Sequence, residues 1–448
     1  MRLHRRILCI AVLCIFPLSL QAENKTLLSQ EQQRELFKVY CAIGDSVTQG
    51  CQSLNVEERR QYWSFPAQLA RQMGTEFNQP LMRYPGCGFP NIEDVIKDKQ
   101  NIGVFSYIRG LVFPKRVNPE QDNINNFGIS GATLSHILDW DLAVCKSPEH
   151  PIVRTTAFFS PWITATLGGQ IKKRRESAVD QALKRNPTFL TIWIGNNDVF
   201  FSAVSCTDSL ITPLDFWCRM FDELVERIKA TPSVKGVALI NIPDVTAIPF
   251  LQPINNPHHK TTGPVTPGSM IPFFIRESAS DREVLTPAEI EKIRSVTAKF
   301  NEKIASTAKE QGWALIDMST QFNDAMKNGR HLQYADGRIS DIVVRSDYAT
   351  GGLFSLDGIH PSSTGYACLA NVIIKGINEF YGTTIPLVDE VAVWKQDSIC
   401  QQPVDPRQVQ DWRIMAMGYT FYAKHLKSNS ETPVPTKVQE TVTSGSED

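Results

Sequence analysis

The sequence predicts an α/β fold built on a doubly wound parallel sheet, and three observations carry that expectation. Four short runs are continuously apolar, as strands covered on both faces are: 39–43 (VYCAI), 189–194 (FLTIWI), 236–242 (GVALINI) and 313–318 (WALIDM), with a weaker fifth at 123–130 (NINNFGIS). Segments of helical period lie between them, and strand alternating with helix is the pattern of a parallel sheet with helices on both faces. Polar, glycine-bearing turns such as GDS and GNND directly follow two of the runs, at the carboxyl ends of strands where such sheets bind ligands.

Taken in order, the chain of 448 residues opens with a basic segment, Arg2 to Arg6, followed by an apolar run at 7–20 too short to span a bilayer comfortably. Ala22 then precedes a polar stretch. Residues 1–22 therefore read as a signal peptide cut after Ala22, with an uncleaved anchor as the competing reading. The expected location is a periplasm, an envelope space or the outside of the cell. Residues 23–427 form one domain with two long insertions, 87–117 (rich in Gly, Pro and Asn) and 249–284 (rich in Pro and His), the second carrying an apolar patch at Ile271, Pro272, Phe273 and Phe274. The polar residues 428–448 read as a disordered tail.

Between the strands, 215–230 (DFWCRMFDELVERIKA) places Phe216, Met220, Leu224 and Ile228 on one helix face. The helix over 286–312 opens with a capping box, Thr286 with Glu289, has Pro287 in its first turn and ends at Gly312. A last helix runs from about Thr364 to Phe380.

Composition excludes some functions. A formal net charge of −1 supplies no field for nucleic acid or an anionic membrane, and no finger, zipper or aromatic-basic motif is present. Eight cysteines follow the leader, and export permits disulfides; Cys206 with Cys218 is the plausible local bridge. No CxxC pair or Cys/His cluster suggests zinc, and the adjacent His258 and His259 make a poor metal site.

The chemistry-bearing residues fall in four blocks: Gly44-Asp45-Ser46; the glycine-rich 126–133 (NFGISGAT) with Gly128 and Gly131; Gly195-Asn196-Asn197-Asp198; and Asp357-Gly358-Ile359-His360. Each alone is a common turn or cap. Together they supply an ester hydrolase. A serine hydroxyl is a weak nucleophile and needs a base, for which His360 serves. The base must be held in one tautomer, and Asp357, three residues earlier, can accept its other ring proton. A developing oxyanion needs preformed donors, and the N–H groups of Ser46 and Gly131 with the Asn197 amide make three. Asp45 and Asp198 read as acceptors of turn and cap N–H groups, and Trp193 as core.

These blocks resemble the GDSL, or SGNH, family of serine esterases and lipases. GDSVTQG matches the nucleophile block, with Val47 in place of the usual leucine. NFGISGAT puts Gly131 at the oxyanion glycine, with Gly128 as rival. GNND puts Asn197 at the oxyanion asparagine, and DGIHPS supplies Asp357 and His360. The blocks run in order from Cys41 to Tyr366. The resemblance implies a flavodoxin-like three-layer α/β/α sandwich with a five-stranded parallel sheet, hydrolysis of esters or thioesters, and no metal or other cofactor. The G-x-S-x-G elbow of α/β-hydrolases is absent.

Export, charge balance and the apolar insertions favour a lipid ester, a phospholipid or lysophospholipid, with transient contact with a membrane surface. The apolar patch at 271–274 either contacts acyl chains or packs on its own domain, and the basic run 172–175 is a solvated helix start or a headgroup contact. A carbohydrate O-acetylesterase, and a binding protein on the same scaffold without turnover, are the alternatives.

Overall fold

The computed structural model describes residues 27–88, 93, 115–139, 176–256, 259–278 and 280–406. The leader, the polar tail, most of the 87–117 insertion, the run 172–175, His258 and Cys145 lie outside the described residues.

All five expected strands form one sheet: β1 (Tyr40–Gly44), β2 (Asn126–Gly128), β3 (Phe189–Trp193), β4 (Gly236–Ile240) and β5 (Ala314–Ile316). Every pairing is parallel, and the spatial order β2-β1-β3-β4-β5 is the flavodoxin-like order. Ala42 lies opposite Asn126 on one side and Thr191 on the other, so β1 is central. The elements that cover the sheet or flank its carboxyl edge are α1 (Ser46–Gln49), α2 (Phe65–Met73), α3 (Asn197–Val204), α4 (Leu214–Lys229), α5 (Pro287–Gln311), α6 (Met318–Asn328) and α7 (Ser363–Tyr381).

The strand pleat sorts neighbours to opposite layers. Cys41, Ile43, Leu190, Ile192 and Leu239 join Trp217, Phe221 and Phe300 of α4 and α5 in one core. Tyr40, Ala42, Phe189, Trp193 and Ile240 join Phe65, Leu69, Tyr366 and Ile373 of α2 and α7 in the other. That is why the strands read as continuous apolar runs: each alternate residue meets its own layer of helices, giving the three-layer sandwich. Each large apolar side chain so buried contributes about 1.5–3 kcal/mol.

Two expectations are corrected. The buried face of α4 is Trp217, Phe221, Leu224, Val225 and Ile228, while Phe216 and Met220 are only half-buried. A stripe stepped by four residues drifts about 40° per step, so its first members rotate out of the face that its last members define. Trp217 anchors the true face, stacked on Phe300 at 4.2 Å and Phe221 at 5.0 Å. The second correction is that no disulfide joins Cys206 to Cys218, whose side chain is a free thiol. The α5 capping box, by contrast, forms in both directions, and Gly312 closes that helix at φ 66°.

The 249–284 insertion is part of the body. Leu251–Pro253 pairs antiparallel with Met270–Pro272, and Lys260–Thr261 pairs with Glu277–Ser278. His259 holds this ribbon through Nδ1 to the Ile254 carbonyl at 2.6 Å and Nε2 to Ser278 Oγ at 3.0 Å, a structural role. Of the two uses open to the apolar patch, it takes the second: Ile271, Phe273 and Phe274 are buried, and Phe273 packs on Tyr348 at 4.2 Å. Phe250 N–H donates to the Gly358 carbonyl at 2.9 Å, so the insertion braces the loop that carries Asp357 and His360.

Candidate active site

Ser46 begins α1 directly beyond β1, so the strand end delivers its hydroxyl to the carboxyl edge of the sheet. Asp45 caps α1: Oδ1 accepts Val47 N–H at 2.9 Å and Oδ2 accepts Asn196 Nδ2 at 2.8 Å. These bonds make Asp45 a structural acceptor, and burial raises its carboxyl above the ordinary value.

His360 stands just before α7, which Ser362 caps. Its Nε2 lies 2.9 Å from Ser46 Oγ, and its Nδ1 lies 2.7 Å from Asp357 Oδ2. A carboxylate on Nδ1 keeps the ring proton there and leaves Nε2 free to accept from the serine. Residues 314 apart in sequence thus meet at hydrogen-bond distance.

Asp357 is fully buried and accepts five hydrogen bonds: Leu54 N, Ile359 N and His360 N at 2.8 Å each, Ser355 Oγ at 3.1 Å and the His360 ring. Burial pushes its carboxyl up, but the imidazole and these donors outweigh burial and hold it below the ordinary carboxylate value. For His360, burial opposes the imidazolium. The neighbouring Cys51 sulfur and the Asp357 carboxylate together overcome that and raise the imidazole well above its ordinary value.

Cys51, which the sequence left among the unassigned cysteines, lies beside the His360 ring, and burial raises its thiol above the ordinary value. Donor atoms of Cys51, Asp357 and His360 fall within 4.8 Å of one another. The five bonds to Asp357 occupy the lone pairs a cation would need, so the cluster is suited to holding a ring rather than a metal.

Ser53 and Leu54 are the residues sequence reasoning missed. Both take positive φ, 52° and 59°, which costs an L-residue roughly 1–2 kcal/mol each. In return, Leu54 N–H reaches Asp357, Ser53 N–H reaches Ser355 Oγ at 2.8 Å, and Ser53 Oγ accepts Leu356 N–H at 3.2 Å. The segment after the nucleophile is thereby laced to the acid–base loop. Nothing in the letters QSLN signals this, because the strain is offset only by long-range partners.

The rival glycines separate cleanly. A Cβ on Gly128 would lie 2.3 Å from Gln49 N, so this glycine lets α1 pack on β2, and its N–H is already bound to Asn126 Oδ1 at 2.9 Å. Gly131 has φ 77°, and its loop is tied on both sides. Ser130 donates N–H and Oγ–H to Gln49 of α1, at 2.8 and 2.6 Å, and the Ala132 carbonyl accepts Asn197 Nδ2 at 2.8 Å. Among the described residues, neither Ser46 N–H nor Gly131 N–H donates to a protein acceptor. Asp198, the other acid of GNND, accepts Leu134 N–H at 3.0 Å and Thr212 Oγ1–H at 2.7 Å, fixing the far end of the same loop. Burial pushes its carboxyl up to about 7.

Ser46, Asn197 and His360 open together onto one cavity of about 140 Å³, and Trp193, buried as expected, forms part of its wall. The remaining wall is mostly apolar, with Phe322, Met326, Leu353 and Leu369 among its members; none of residues 271–274 reaches it. No helix among the described residues is long and apolar enough to cross a membrane.

No curated protein matches the sequence significantly. Among solved structures, the chain is similar to the acetylxylan esterase Axe2 from Geobacillus stearothermophilus, at 15% identity over 76% of this chain and 94% of that one, with a TM-score of 0.34. It is also similar to the extracellular lipase from Streptomyces rimosus, at 14% identity over 76% of this chain and 99% of that one, also with a TM-score of 0.34. Residues 40–373, which contain all four motif blocks, match the family described as GDSL-like Lipase/Acylhydrolase. On that match the chain belongs to the GDSL-like lipase and acylhydrolase family, and it is a carboxylic ester hydrolase.

Proposed function

We propose that this protein is an exported serine hydrolase of lipid-type acyl esters, with a phospholipid or lysophospholipid as the natural substrate class, met at a membrane surface. One observation carries the acyl part of this reading: the apolar cavity onto which Ser46 and His360 open. A comparable apolar cavity of about 150 Å³ takes up a benzene-sized group, whereas an acetyl group would leave most of this volume unfilled. The leader at 1–22 supports export.

In the proposed reaction Ser46 Oγ attacks the ester carbonyl as His360 Nε2 removes its proton. Asp357 holds the imidazole tautomer and stabilises the imidazolium. The N–H groups of Ser46 and Gly131 and the Asn197 amide receive the oxyanion. His360 then protonates the departing alkoxide, leaving an acyl-Ser46 that water cleaves by the same steps in reverse order. Asn197→Ala is expected to lower kcat by roughly 10²–10³, the usual effect of deleting one oxyanion donor; steady-state kinetics showing a near-normal rate would remove Asn197 from this role.

The substrate class is tested by comparing fatty acid released from lysophosphatidylcholine with acetate released from an acetylated xylooligosaccharide. The expected result is faster release of the fatty acid. Acetate release as the dominant activity would overturn the lipid reading in favour of the carbohydrate O-acetylesterase.

A further inference from the structure

The cavity has a direction. Helix α6 lends it Met318, Phe322 and Ala325, and α7 lends it Gly365, Leu369 and Val372. These positions recur at about one turn on each helix, so the cavity follows both. Both helices start at the catalytic edge: α7 begins three residues after His360, and α6 follows β5 at its carboxyl end. The spans 318–325 and 365–372 each cover eight residues, seven steps of rise, or about 10 Å of helix.

Polar atoms mark the far end. Ala325 lies in the last turn of α6, where Gly329 N–H donates to its carbonyl at 2.9 Å, and Arg330 follows immediately. Arg330 Nη2 binds the wholly buried Glu390 at 2.6 Å. Asn371, next to Val372, binds Glu390 at 2.9 Å, and Gln333 N–H binds it at 2.8 Å. Arg330 also lines the cavity, so this ion pair forms part of its wall. Met318 alone is fully buried on α6; Phe322 and Ala325 are half-buried because they face a void.

We propose that Ala325 and Val372 set how much of the acyl chain is held: the chain runs between α6 and α7 as far as the Arg330–Glu390 pair, so roughly the first eight carbons are gripped and a longer chain gains nothing further. This rests on Ser46 being the nucleophile. An extended chain advances about 1.2 Å per bond, so a 10 Å groove takes roughly eight carbons. The cavity volume, close to one that holds a six-carbon ring, gives a similar limit. Beyond that point a methylene gains no burial and must cover a buried ion pair.

The test is kcat/KM for 4-nitrophenyl esters from acetyl to dodecanoyl, with the thermal midpoint of each protein measured alongside. For the natural sequence the value should rise up to about fourfold per methylene and level off near octanoyl. Ala325→Phe and Val372→Phe, which fill the groove from opposite walls, should each shorten the optimum by two or more carbons and lower the octanoyl-to-acetyl ratio at least ~10-fold. If either phenylalanine variant does not fold, Ala325→Val and Val372→Leu replace it, with a shift of about one carbon. Folded variants that keep the natural ratio would overturn the gauge while leaving the hydrolase intact. A natural protein that cleaves none of the esters would overturn the assignment of Ser46 first.

Discussion

Replacing Ser46 with alanine is expected to lower kcat by about 10⁶, with the thermal midpoint kept near that of the unmodified protein. In the proposed mechanism the hydroxyl is the atom that forms the new bond, and among the described residues the nearby thiols are poor substitutes: burial raises both Cys51, beside the His360 ring, and Cys368 in the cavity wall. Folding should tolerate the change. The Ser46 side chain makes a single hydrogen bond, to His360, while its backbone carbonyl holds Gly50 and Cys51 and is untouched by the substitution. A residual rate of roughly 10³–10⁴ over water is expected to survive, because the oxyanion donors remain. Steady-state kinetics together with a fluorophosphonate probe check this. Ser46→Ala protein that still hydrolyses esters at more than about a hundredth of the natural rate would place the nucleophile elsewhere.

His360→Ala should cost nearly as much, since without a base the serine stays protonated, and the double variant should be little slower than either single one because the two groups act as a unit. The same ring sets the pH dependence. Only the neutral imidazole can accept the serine proton, so protonation of His360 removes activity. Cys51 and the Asp357 carboxylate beside the ring favour the protonated form against the effect of burial and raise the imidazole. The acid limb of the kcat/KM profile is therefore expected with its midpoint above the ordinary imidazole value of about 6.5, activity being lost as pH falls through it. A profile that stays flat into the acid range would exclude His360 as the base. Asp357→Asn removes the negative charge and should cost roughly 10⁴ in rate, as loss of the orienting carboxylate does in other triads.

Much of this site was legible because its parts are local. A strand end followed by Gly-Asp-Ser, a glycine-rich loop, a strand end followed by Gly-Asn-Asn-Asp and the run Asp-Gly-Ile-His each encode a short backbone shape, and backbone shape is decided by near neighbours. The same holds for the strands and for the Thr286–Glu289 capping box. Less legible were features decided by rotation or by distant partners. The buried face of α4 turns on how Trp217 stacks against Phe300 of another helix. The destination of residues 271–274 turned on Phe250 and Tyr348, and no local rule says whether a patch of phenylalanines meets substrate or its own core.

By itself the sequence marked the order of strands and helices and the residue types that could perform ester hydrolysis, and it pointed to Ser46, Asn197, Asp357 and His360 as the candidates that the structure brings to one cavity and its supporting loop. Tertiary structure alone decided that Gly128 packs while Gly131 keeps its N–H open, that the strained Ser53 and Leu54 lace the nucleophile segment to the acid–base loop, and that α6 and α7 leave a groove between them. The reason is physical. A hydrogen bond between neighbours is written in their spacing, whereas a void, a close approach or a tolerated strain exists only once segments hundreds of residues apart have packed and fixed what lies between them.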